Sequence, residues 1–89
     1  MEKLYERELG FQFFQEGDTY YLSVLTGSYA VRTVEIELTA EERLLYLDAG
    51  NSFIDDLAGK MAMFPENYKK RQLSASHSFY VLIKRFQKR

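Results

Sequence analysis

The sequence predicts an α+β domain: an antiparallel sheet of about four strands with one long helix packed across it, in the order β-β-β-α-α-β. Two hydrophobic periods, one on each side of residue 39, predict it. Residues 9–38 carry β-branched and aromatic runs cut by glycine turns, whereas residues 39–64 repeat at helical spacing. A third observation is the length of 89 residues, which allows one core and one domain, spanning 1–89.

Leu9 to Gln15, with Phe11, Phe13 and Phe14, reads as the first strand. Glu16-Gly17-Asp18 breaks it with turn chemistry. Thr19 to Thr26 is the second strand, and Gly27-Ser28 fits a two-residue hairpin with glycine at positive φ. Tyr29 to Leu38 is the third; its end, Val34-Glu35-Ile36-Glu37-Leu38, alternates between a buried and a wet face.

Thr39-Ala40-Glu41-Glu42 is a capping box. Behind it Leu44, Leu47, Ile54, Leu57, Met61 and Phe64 form one stripe ending at Pro65, a helix of roughly 36 Å. Gly50 lies on that stripe. The preferred expectation there is close approach of helix to sheet, with a kink at Asn51 as the alternative. Pro65 to Gln72 opens with a proline and closes on Lys69, Lys70 and Arg71, as a short second helix does. After a linker at Ser74–Ser78, the apolar Phe79–Ile83 predicts a last, buried strand, followed by the basic tail Lys84–Arg89.

The hairpin tips assign side chains to faces. One face carries Phe11, Phe13, Tyr20, Leu22, Val24, Tyr29 and Val31; the other carries Phe14, Tyr21, Leu25, Val34, Ile36 and Leu38. One helix covers only one of them. Either a bulge near Arg32 or Thr33 slips the third strand and merges the apolar groups, or an aromatic face stays open. The second expectation makes the Phe11-to-Val31 face a partner or homodimer surface.

Composition excludes most chemistry. There is no cysteine and one histidine, His77, so thiol nucleophiles, disulfides and two-imidazole metal sites are ruled out. The glycines are scattered, without a phosphate-binding loop, and no serine elbow surrounds Ser74, Ser76 or Ser78. No cofactor, metal or catalytic residue is expected. The absence of a leader-like or membrane-spanning apolar run gives a cytoplasmic expectation.

Charge is the remaining signal. Residues 1–66 hold 13 acids and five bases, a balance of −8; residues 67–89 hold seven bases and no acid. Glu41, Asp48 and Asp55 recur every seven residues, with Asp56 adjacent, and predict an acidic helix strip for steering a basic partner. Tyr68, Lys69, Lys70 and Arg71, with Lys84 and Arg85, are the candidate nucleic-acid residues.

The run from Leu38 to Arg71, L-T-A-E-E-R-x3-L-D-A-G-x2-F-I-x2-L-A-x6-P-x2-Y-x2-R, resembles small bacterial immunity proteins of toxin–immunity loci, including contact-dependent growth inhibition systems. That resemblance implies a cytoplasmic antidote that binds one cognate toxin. The expectation is therefore a non-enzymatic protein-binding domain, with a nucleic-acid accessory protein and a structural homodimer as alternatives.

Overall fold

The computed structural model describes residues 1–8, 10–26 and 32–73. Four strands, β1 (Glu2–Arg7), β2 (Phe11–Glu16), β3 (Thr19–Thr26) and β4 (Arg32–Glu37), form an antiparallel sheet in the order β1-β2-β3-β4. Two helices follow, α1 (Ala40–Ala49) and α2 (Asn51–Met63), and then a 3₁₀ segment, Pro65–Arg71. The α+β class stands as expected. Among the described residues the sheet has one strand the sequence did not predict: β1 stands where the sequence showed only charge. The expected strand Phe79–Ile83, the hairpin tip Gly27-Ser28, the tail Lys84–Arg89 and His77 lie outside the described residues.

The β2–β3 hairpin follows the predicted register, with Phe11 opposite Val24 and Phe13 opposite Leu22 across Gly17-Asp18, where Gly17 has φ 61°. The β3–β4 register does not. Val24 pairs with Val34 and Leu22 with Ile36, rather than with Val31 and Thr33. The described register runs from Tyr21–Glu37 to Thr26–Arg32, and the odd shift of three residues turns β4 over. Val34, Ile36 and Leu38 thereby join Phe11, Phe13, Leu22 and Val24 on one face. This is the merging that a bulge was expected to give, reached through a register shift of three residues.

That merged face is the core. Ile54, Leu57, Ala58 and Met61 of α2 seal it, and Ile54, Met61, Phe13, Leu22 and Ile36 are inaccessible to solvent. The face expected to stay open for a partner is therefore corrected: Phe11, Phe13, Leu22 and Val24 are buried under α2, and Tyr20 packs against them. Tyr29 and Val31 of the same set lie outside the described residues.

The single long helix is also corrected. Gly50 has φ 70° and ψ −149° and ends α1 while it caps α2. A Cβ at Gly50 would meet nothing within 4 Å, so neither close approach nor crowding explains the glycine; its backbone conformation does. Ser52 Oγ donates to the Ala49 carbonyl at 3.0 Å and satisfies one of the acceptors the break exposes.

Gly59, inside α2, also faces open space. The two glycines predict opposite outcomes for the same added methyl. Gly50→Ala lowers unfolding free energy by about 1–3 kcal/mol, and Gly59→Ala raises it by about 1 kcal/mol. Urea titrations of both variants check the pair.

Candidate functional site

A feature that the core does not explain is α1, and at the end of α2 Met63 and Phe64, the latter the last residue of the expected stripe, are exposed as well. No residue of α1 is buried. Its inward side is polar and aromatic, formed by Glu42, Arg43 and Tyr46, while Leu44 and Leu47 are 63% exposed and Leu45 52%. A surface helix ordinarily turns its leucines to the core; α1 is turned the other way.

Four contacts fix that azimuth. Thr39 Oγ1 accepts from the Glu42 N–H at 3.1 Å, and the Glu42 carboxylate accepts from the Thr39 N–H at 2.9 Å, completing the predicted capping box. Arg71 of the 3₁₀ segment donates to both oxygens of the same carboxylate, through Nη1 at 3.0 Å and through Nη2 at 2.5 Å, and to the Glu37 carbonyl at 3.0 Å. Arg43 Nη1 donates to the Asp18 carbonyl at 3.2 Å, tying α1 to the β2–β3 turn. The Tyr46 ring packs edge-on against Phe13, with centroids 4.9 Å apart, and at 5.3 Å from Tyr20. Burial pushes the Tyr46 phenol up from its ordinary value, with Tyr20 adding to it.

These contacts leave the leucines in water. Full burial of a leucine side chain is worth about 1.5–3 kcal/mol, so the three together leave on the order of 4 kcal/mol unrealised in the isolated chain. At about 100° per residue, Glu41 and Asp48 project between Leu44 and Leu45. Both acids are exposed and have no ion-pair partner among the described residues. The site is thus an apolar helix face with two carboxylates set into it.

The acidic strip forms only in part. Glu41 and Asp48 share α1, but the turn at Gly50 breaks the heptad before Asp55. Asp55 instead faces β1, accepting from Arg7 Nε at 3.1 Å and Nη2 at 3.3 Å and from the Tyr5 hydroxyl at 3.0 Å. The Arg7 hydrogen bonds hold its carboxyl below the usual range, helped by Tyr5 and opposed by burial. Asp55 is a strut between α2 and β1, and Asp56 alone of that pair is exposed.

The candidate nucleic-acid residues are likewise divided. Arg71 is committed to Glu42 and Glu37, with its guanidinium 5.8 Å from the Tyr68 ring centroid. Tyr68 packs on the core, and Lys69 pairs with Glu66 at 3.0 Å. Lys70 is exposed, and Lys84 and Arg85 lie outside the described residues.

Two concavities lie among the described residues. One, of about 340 Å³, is lined by Glu6, Arg7, Glu8, Gly10, Phe11, Gln12, Ser23, Leu25 and Thr33 at one end of the sheet. The other, of about 250 Å³, lies between Asp18, Thr19 and Tyr20 and the start of α1 at Thr39, Ala40 and Arg43. Among the described residues, no group of three or more histidines, cysteines or acids stands close enough to hold a metal ion, and no helix is long and apolar enough to cross a membrane. No family model, curated protein or solved structure matches the chain.

Sequence reasoning placed Glu41 and Asp48 on a wet face but assigned Leu44 and Leu47 to the core. The signal that identifies the break is Gly50-Asn51-Ser52, a helix stop followed by two capping-type residues.

The Glu42–Arg71 pair gives a pH signature. Burial raises the Glu42 carboxyl, but the Arg71 and Thr39 hydrogen bonds together outweigh it and hold it below its ordinary value. A lowered folded value stabilises above the unfolded value of about 4.3, and that contribution is lost as pH falls through the folded value. The stability gap between the native chain and Glu42→Gln is therefore full at neutral pH and closes below about pH 4.3. Urea midpoints across pH 3 to 7 check this; a gap that widens in acid contradicts it.

Proposed function

We propose that this chain is a non-enzymatic protein-binding domain that docks on its partner through the outer face of α1. One observation carries the reading: α1 presents Leu44, Leu45 and Leu47 to solvent while its charged Glu42 and Arg43 turn inward. A helix held in that orientation by an ion pair, a capping box and an aromatic contact keeps apolar area for a second molecule.

The more specific form of the proposal is an immunity protein that neutralises a cognate bacterial toxin. Its support is the resemblance of residues 38–71, which span α1, α2 and the 3₁₀ segment, together with an exposed apolar helix in that same stretch. Blocking a toxin requires a shape and a charge pattern, and no reacting group of its own. The nucleic-acid alternative loses support, because Arg71 and Lys69 are engaged within the fold.

A photo-crosslinking residue placed at position 44 tests the reading in the native host. The expected result is one dominant protein adduct, lost in the Leu47→Lys variant and unaffected by Lys70→Glu. Leu47→Lys itself changes folding stability by no more than about 0.5 kcal/mol, since the side chain is exposed. Adducts that persist in Leu47→Lys, or none at position 44 beside a clear adduct elsewhere, contradict the proposal.

A further inference from the structure

The proposed contact face also carries information about what it contacts, and the inference here rests on that reading of α1. We propose that the occupant is an amphipathic basic helix of a different protein, its apolar seam against Leu44 and Leu47 and its lysines or arginines against Glu41 and Asp48.

Charge decides between a foreign helix and a second copy of this chain. The outer face of α1 holds two carboxylates, Glu41 and Asp48, without an ion-pair partner among the described residues. The helix has a single base, Arg43, and it is turned inward onto the Asp18 carbonyl. A second copy seated α1 against α1 would bring carboxylates against carboxylates, with the one base of each helix turned away from the contact, an arrangement that opposes association. A basic helix satisfies both acids and covers the leucines at once.

Spacing suggests the shape. Glu41 and Asp48 are seven residues apart, two helical turns or about 10.5 Å. A helix packed along α1 with bases at the same seven-residue interval places one beside each acid. Leu44 and Leu45 lie at three- and four-residue steps from both acids, and Leu47 follows Leu44 by three residues, so the apolar seam and the charged pairs run parallel. The acids act mainly on encounter rate and selectivity, and the leucines on residence.

A fluorescent helical peptide with leucines on one face and lysines flanking them is the probe, read by anisotropy against the full chain. A peptide of equal charge with serine in place of leucine, and one with glutamate in place of lysine, are its controls. The expected result is binding of the leucine–lysine peptide alone. That binding falls roughly tenfold or more in Leu44→Ser/Leu47→Ser. In Glu41→Gln/Asp48→Asn it loses most of its salt dependence. Both double variants alter only exposed side chains, and their urea midpoints verify that they fold.

Equal binding of the serine control, or salt dependence unchanged in the acid variant, overturns the inference. So does a dimer in sedimentation that the leucine variant dissolves, which would make a second copy the occupant. If crosslinking at position 44 captures a protein while the basic peptide fails to bind, the contact face stands and the basic-helix partner falls. If both fail, the reading of α1 falls with it.

Discussion

The orientation of α1 centres on one ion pair, Glu42 with Arg71, which the Arg43 and Tyr46 contacts reinforce. Glu42 is the residue where three elements meet: it caps α1 through Thr39, and it receives a guanidinium that also binds the last carbonyl of β4. The pair is partly shielded, with side chains 16% and 30% exposed, so its hydrogen bonds are less screened than those of a free surface bridge. Replacing either partner leaves the other carrying unmet hydrogen-bonding capacity against the protein. Rolling α1 over to bury its leucines would break this pair, the Arg43 contact and the Tyr46 packing together. The exposed face is therefore the consequence of a polar network, and the apolar energy left in water is the cost of that network.

The remainder of the fold supplies what this arrangement needs. Among the described residues α2 supplies the buried residues that close this face of the sheet, because the turned-over β4 puts Val34, Ile36 and Leu38 on the same side as β2 and β3. With the core complete, α1 is free to serve as an appendage joined through Gly50. Asp55 clamps α2 to β1 through Arg7 and Tyr5, so the scaffold beneath the turn is braced from the opposite edge. On the β4 edge, the Glu35 N–H and carbonyl bond Gln72 and the Leu73 N–H, which returns the chain after Arg71 to the sheet. Arg71 is thus held between its ion pair and an anchored segment.

Much of this was legible in residue order, and the failures have physical causes. Gly17-Asp18 fixed the β2–β3 register because a two-residue turn allows one pairing. The capping box was legible because its four residues are contiguous. β1 was hidden because an edge strand protects itself with charge, and Glu2, Lys3, Glu6 and Arg7 read as a solvated stretch. The face of β4 was misassigned because a register error of an odd number of residues turns every side chain over, and the observed pairing of Val24 with Val34 lies three residues from the expected one. The break at Gly50 was masked by arithmetic: Leu47 and Ile54 are seven apart, so the stripe continues numerically across a turn that ends it in space. Charge was read correctly at Glu41 and Asp48, but no local pattern shows that Asp55 and Arg71 find partners 48 and 29 positions away.

The central claim is that α1 holds its leucines outward in the isolated protein, and the absence of any native cysteine allows it to be measured directly. Single cysteines are introduced at Leu44, Leu47 and Ala58, the last a residue of α2 that is 3% exposed, and thiol labelling rates are compared in native buffer. The account predicts that Leu44→Cys and Leu47→Cys label nearly as fast as in denaturant, while Ala58→Cys labels only through opening of the fold. Protection at positions 44 and 47 equal to that at 58 would show a helix rotated into the core, and would contradict it.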